Sequence, residues 1–242
     1  MTKTAGAALG LALAASVAAA AGMPDPAPLD AVLAARARNG GFDYRGTTGQ
    51  DRKRLSAYLA NVGDAKPAGM SPEERKAFFI NAYNALAIQT LLDNPGRKIT
   101  DVEGAFKTAR HRVGGEMLTL DEIENRLRAT GDARIHFGIV CASRSCPPLA
   151  PRAFTAGNVS ETLDRLGREF VNDRTRNVVD RSGGRVALSK IFFWNRKEFE
   201  RDGGTLARYV SKYVADPATA AWLAGFSREP EFLEYDWDPN QS

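Results

Sequence analysis

The sequence predicts an α+β fold: a mostly helical single domain around a buried central helix, with a small antiparallel sheet. Three observations predict it. The stretch from Ala77 to Ile88 is apolar nearly all round, and only a helix enclosed on every side tolerates that. Amphipathic helical stripes recur before and after it, while strand-like segments are few, short and separated by Gly-Gly turns. No repeat, composition break or low-complexity linker divides the chain after its first residues.

Taken in order, residues 1–21 read as a secretory signal peptide. Lys3 supplies the positive start, Ala5 to Ala20 the apolar run, and Ala18 to Ala21 the small residues of a cleavage site, with Pro24 and Pro26 following. This predicts a periplasmic or secreted protein of the bacterial envelope, with no stable membrane span after signal removal. Residues 22–42 form an amino-terminal arm: Leu29, Val32 and Leu33 mark a short helix ending near Asn39-Gly40-Gly41. Residues 43–238 form the single globular domain. Leu55, Tyr58, Leu59 and Val62 stripe a helix over 51–62, and Gly63 stands where it would stop.

The central helix has the clearest start. Ser71 is a good N-cap, Pro72 fits the first turn and Glu74 completes a capping box, with Asn94-Pro95-Gly96 beyond its end. Thr108 to Leu118 read as a hairpin around Gly114-Gly115, and Thr119 with Glu122 as a second capping box. Val159, Leu163, Leu166 and Phe170 stripe another helix. A second hairpin spans 177–188, and Ser189 to Trp194 begin an apolar segment expected to pack on the core. Leu206, Tyr209, Val210, Tyr213 and Val214 stripe another helix. Asp216-Pro217 opens a short one, and Phe232 to Trp237 read as an extended, docked tail.

A sequence pI near 9.1 raises the question of nucleic acid. With 29 acidic residues against 33 basic ones and no long block of like charge, a solvated basic surface explains it, and no nucleic-acid partner is expected. No phosphate-binding Gly-rich loop and no Gly-x-Ser-x-Gly occur, and the residues call for no cofactor.

Candidate chemistry gathers in Arg134-Ile-His-Phe-Gly-Ile-Val-Cys-Ala-Ser-Arg-Ser-Cys-Pro-Pro-Leu149, which holds both cysteines and one of two histidines. Read as a buried strand, it puts His136 and Cys141 on opposite faces roughly 16–17 Å apart, so the two cannot form a dyad directly. A thiol enzyme, hydrolase or acyltransferase, would need Cys141 or Cys146 as nucleophile with His136 or His111 as base. The competing reading is a Cys141–Cys146 disulfide, favoured by an oxidising compartment and closing a short loop. Zinc is not expected, because the Cys and His spacing matches no usual module. On the central helix Asn81 and Asn84, three apart, share a face. They either satisfy neighbouring backbone groups or line a pocket with His136.

Three stretches, Phe78-Phe-Ile-Asn-Ala-Tyr-Asn-Ala85, Leu118-Thr-Leu-Asp-Glu-Ile-Glu124 and Arg134 to Leu149, resemble the domain-of-unknown-function family 547, loosely from Asp43-Tyr44 to Tyr235-Asp236-Trp237. The resemblance implies no established activity. Ala150 stands where the family often has an arginine after Pro-Pro-Leu, and Arg152 is the candidate replacement. The resulting expectation is a non-catalytic envelope module that binds an unknown small ligand or an envelope protein through His136, Asn81, Asn84, Arg134 and Arg152. The thiol enzyme is the alternative.

Overall fold

Helix α3 (Pro72–Asp93) is the axis on which the other elements are laid, in a computed structural model that describes residues 22–242. The expected signal peptide, 1–21, lies outside the described residues. Ahead of α3 come α1 (Ala27–Arg36), the two-residue strands β1 (Ala37–Arg38) and β2 (Gly41–Phe42), and α2 (Gly49–Asp64). Beyond it are β3 (His111–Val113), β4 (Glu116–Leu118), α4 (Leu120–Arg128), α5 (Ile135–Gly138) and α6 (Val159–Asn172). The last part holds β5 (Val178–Asp180), β6 (Arg185–Leu188), α7 (Lys190–Trp194), α8 (Arg196–Gly203), α9 (Leu206–Ser211), α10 (Pro217–Ala224) and β7 (Glu231–Phe232). Among the described residues no helix is long and apolar enough to cross a membrane.

The start of α3 follows its sequence. The Ser71 hydroxyl accepts from the Glu74 N–H at 3.2 Å, and the Glu74 carboxylate accepts from the Ser71 N–H at 2.8 Å. Every residue from Lys76 to Ile88 is buried, which requires neighbours on all sides; α2, α4 and α6 supply them. The arm joins the same core through Leu29, Val32, Leu33 and Phe42. Helix α2 begins two residues before the expected Asp51, because Thr48 and Asp51 form a capping box that the apolar stripe does not reveal. Gly63 lies inside its last turn and does not end it. The glycine lets the β3–β4 hairpin approach: a Cβ there would stand 3.3 Å from the Arg112 carbonyl oxygen, and the Gly115 N–H donates to the Gly63 carbonyl at 2.8 Å.

Both hairpins form where expected, β3 with β4 and β5 with β6, each antiparallel. The extended tail docks by adding β7 to β6 in parallel, so the three-stranded sheet is mixed. The apolar segment after Ser189 departs from expectation. Phe192 is fully buried, but Phe193 is 53% and Trp194 46% exposed. Ser189 caps a helix here, and a helix turns three consecutive aromatic residues in three directions, only one of them inward.

The largest departure is at 134–149. An apolar run of this length does not distinguish a strand from a buried helical turn. Residues 135–138 form the short helix α5, after which the chain extends and turns at Ala142, with φ of 63°. Among the described residues no strand pairs with residues 138–140, whose backbone the Asn84 side chain satisfies instead; further on, Ser143 makes an isolated antiparallel bridge to Pro239 in the tail. Asn84 Nδ2 donates to the Gly138 carbonyl and the Val140 N–H donates to Asn84 Oδ1, both at 2.8 Å. Gly138 sits so close to α6 that a Cβ would lie 2.6 Å from Leu163 Cδ2.

Buried Lys76 pairs with Asp132 at 2.8 Å, and Arg134 closes on the same carboxylate at 2.9 Å. Burial alone would raise the Asp132 carboxyl, but hydrogen bonds from Arg134 and Lys76, together with their charges, bring it down from 3.8 to about 2. A carboxyl depressed on folding stabilises above its unfolded value, and that stability is lost as pH falls toward the folded value. Acid titration of the urea midpoint is therefore expected to show a loss on the order of 2 kcal/mol between about pH 5 and pH 2, absent in Asp132→Asn.

Candidate functional site

A cleft of about 760 Å³ lies between α4, α5, α7, the loop carrying the cysteines and the docked tail. Its polar floor comes largely from α4. Thr119 and Glu122 cap that helix, and Leu120, Ile123 and Leu127 point into the core. Helical spacing then sets Asp121, Glu124, Asn125 and Arg128 on an adjoining face, which opens into the cleft.

Helix α5 adds His136, only 2% exposed. Its Nε2 donates to Glu198 Oε2 at 2.8 Å, and its Nδ1 lies 3.9 Å from Glu124 Oε1. Arg128 joins the two carboxylates: it donates to Glu124 at 2.5 Å, to Asn195 Oδ1 at 2.6 Å, and to Glu198. Burial alone would raise the Glu198 carboxyl. The hydrogen bond from His136 and the charges of His136 and Arg128 outweigh that and hold it below the ordinary carboxylate range. Asp121 goes the other way: burial first, and the Glu124 charge second, raise it. Tyr83, from α3, closes the inner end. Its phenol is raised well above its usual value by burial, with Glu124 adding to the effect.

The opposite wall is aromatic. Trp194 and Trp237 stack with centroids 5.8 Å apart and planes 29° from parallel, and Tyr235 stands 4.5 Å from Trp237 and 4.8 Å from Trp194. Phe106 extends the wall edge-on at 6.4 Å from Trp237. The sulfurs of Cys141 and Cys146 are joined and line the same cleft, and no free cysteine remains among the described residues. Cys141 Sγ meets Ser143 Oγ at 3.2 Å and Tyr235 OH at 3.3 Å, and Cys146 Sγ meets Tyr235 OH at 3.2 Å. No histidine is among the hydrogen-bond partners of either sulfur within the described residues.

Of the residues singled out from the sequence, the cleft brings together His136, Cys141 and Cys146. The strand-parity separation of His136 from Cys141 does not apply, because His136 sits on a helical turn. The expected grouping of His136 with the two asparagines is not formed. Asn81 bridges the Phe154 N–H and carbonyl, each at 2.8 Å, as Asn84 bridges Gly138 and Val140; neither lines the cleft. A buried amide carries one donor group and one acceptor, and a peptide pair of matching geometry satisfies both. Arg134 is engaged by Asp132 and Asp164, and Arg152 lies on the surface, paired with Asp30 at 3.1 Å. His111 is on β3, outside the cleft, with its Nε2 buried and without a hydrogen-bond partner among the described residues; burial lowers its pKa. Among the described residues, no group of three or more His, Cys, Asp or Glu is placed to hold a metal ion.

Asp121, Glu124, Arg128, Asn195 and Glu198 were not foreseen from the sequence. Asp121 and Glu124 lie inside the Leu118–Glu124 motif, where two acids three apart beside an apolar stripe were the available signal. Asn195 and Glu198 gave none, since only the packing of α8 behind α5 brings them to His136.

No curated protein and no solved structure matches the chain. A family match does exist, and it is narrower than the resemblance read over 43–237. It includes α3, α4, α5 and the cysteine loop, but not Trp194, Asn195, Glu198, Tyr235 or Trp237. Residues 67–171 match the family described as "Protein of unknown function, DUF547", and through this segment the chain is similar to that family.

Proposed function

We propose that the cleft binds a small, neutral, polyhydroxylated ligand of the saccharide class, and that the protein is an exported binding module of the bacterial envelope. The observation that carries this reading is the pairing of an aromatic wall with a charge-balanced polar floor. Flat indole faces complement the C–H face of a sugar ring, while carboxylates, amides and a guanidinium exchange hydrogen bonds with hydroxyls. Asp121 and Glu124 are offset by Lys107 and Arg128, so the lining favours neither a strongly anionic nor a strongly cationic ligand. A half-exposed tryptophan beside a concave polar site is apolar surface available to a ligand. Export rests on the alanine-rich leader read from the sequence, and the joined cysteines are consistent with an oxidising compartment.

Titration with cellotetraose and chitotetraose, followed by tryptophan fluorescence, is expected to show saturable binding. Trp194→Ala should weaken it about tenfold or more without lowering the melting temperature, since the side chain is half exposed. Failure of both sugars to bind, alongside saturable binding of a charged solute in the same cleft, would overturn the saccharide assignment.

The thiol-enzyme reading needs a free sulfur, and the lack of an imidazole among the hydrogen-bond partners of either sulfur, within the described residues, weighs against it. Alkylation followed by intact-mass analysis is expected to modify no cysteine before reduction and two after it. Rapid labelling of one cysteine in unreduced protein would restore the hydrolase or acyltransferase reading.

A further inference from the structure

A second cavity, of about 400 Å³, shares no lining residue with the cleft. Four arginines line it, and they come from four separate parts of the chain: Arg45 after β2, Arg52 in α2, Arg97 in the turn after α3, and Arg144 in the disulfide loop. A single carboxylate, Asp238, lines it with them, and that one is already paired with Lys98 at 2.8 Å and with Arg144 at 3.4 Å. The disulfide loop thus serves both cavities, giving its sulfurs to the cleft and Arg144 to this one.

The arginines are partly held and partly open. Arg52 donates to the Leu92 carbonyl at 2.8 Å and pairs with the Asp93 carboxylate at 3.5 Å, Arg97 donates to the Asp101 carbonyl, and Arg144 to Asp236 at 2.7 Å. Arg45 has no side-chain hydrogen bond or ion pair among the described residues. A guanidinium carries five N–H donors in a flat fork, so the three anchored side chains are oriented and still have donors left over. Gathering like charges around a concavity is unfavourable while it is empty, and an anion reverses the sign of that interaction. Arginine forks match oxyanions in two-point fashion, and the cavity is within the size range of small-ligand sites.

We infer that this cavity is an oxyanion site for a phosphate ester or diphosphate group, recognised by Arg45, Arg52, Arg97 and Arg144. The inference is independent of the saccharide reading, because the two sites have no residue in common.

Calorimetric titration with pyrophosphate is expected to give saturable binding that weakens as salt is raised. Arg45→Ala/Arg97→Ala should weaken it about tenfold or more, with cellotetraose binding unchanged. Both side chains are exposed, so the far-UV spectrum and melting temperature should hold. Arg45→Ala alone repeats the test at a side chain that has no partner to lose. Cosedimentation with phosphatidylglycerol vesicles separates the sources of the phosphate. Vesicle binding that is lost in the double variant, without pyrophosphate binding, would assign the same chemistry to a lipid headgroup. Absence of binding to pyrophosphate, inorganic phosphate and vesicles alike would overturn the inference, as would equal binding by wild type and double variant.

Discussion

Replacing Asn84 with alanine is expected to cost roughly 2–6 kcal/mol. The side chain is 6% exposed and satisfies two backbone groups, the Gly138 carbonyl and the Val140 N–H. Its removal leaves both buried without partners, at about 1–3 kcal/mol each. Those two groups flank the bend between His136 and Cys141, so the loss extends beyond stability. The imidazole and the disulfide should lose their fixed separation, and ligand binding in the cleft should weaken with the fold. Urea unfolding of Asn84→Ala against wild type measures the first effect. A cost below about 1 kcal/mol would mean that water enters and replaces the amide, and the bend would then not depend on Asn84. Asn84→Asp is the informative companion, since it keeps the acceptor for Val140 and removes the donor for Gly138.

The second large effect is expected at Glu198. Its carboxylate receives His136 and Arg128 and is itself largely buried, with 16% side-chain exposure. Breaking a buried pair by removing one partner is costly because the other is left without its counter-charge. Partial exposure of Arg128, and its remaining bonds to Glu124 and Asn195, reduce that penalty. Glu198→Ala should therefore destabilise by roughly 2–4 kcal/mol, and Glu198→Gln by clearly less, since the amide oxygen still accepts from His136. The pH dependence follows from the lowered carboxyl. The stabilisation from this group is present above the ordinary glutamate value of 4.5 and is lost as pH falls below it. Equal stability of Glu198→Ala and wild type from pH 4 to pH 8 would show that the His136–Glu198 contact does not support the cleft.

These two positions mark where sequence reading reaches and where it stops. Capping boxes at Ser71 and Thr119, apolar stripes at helical spacing and Gly-Gly turns are near-neighbour features. Each is decided by groups within a few residues of one another, so the helices and hairpins they signal are found where the residues put them. The all-round burial of α3 was legible for the same reason, since an apolar stretch of that length has no exposed face to offer. The sequence offered the pairing of Cys141 with Cys146 as one of two readings, since five positions separate them, and left the free thiol as the other.

What tertiary structure alone decided is the path of residues 134–149 and the membership of the site. Alternation of apolar side chains could not show that an asparagine 54 residues away would take the place of a neighbouring strand, and so the segment is a helical turn followed by a bend. That substitution moved Asn81 and Asn84 from the expected pocket into the backbone bonding of the core. It also brought His136 to Glu124, Arg128 and Glu198 instead. The aromatic wall likewise depends on a helical turn at 190–194 that sends Trp194 outward, and on a tail that brings Tyr235 and Trp237 back to it. By itself the sequence determined a helical α+β unit and its central helix, because those follow from contacts near in the chain. The cleft and the arginine-lined cavity are assembled from segments far apart in the chain, and only packing in three dimensions sets which side chains meet.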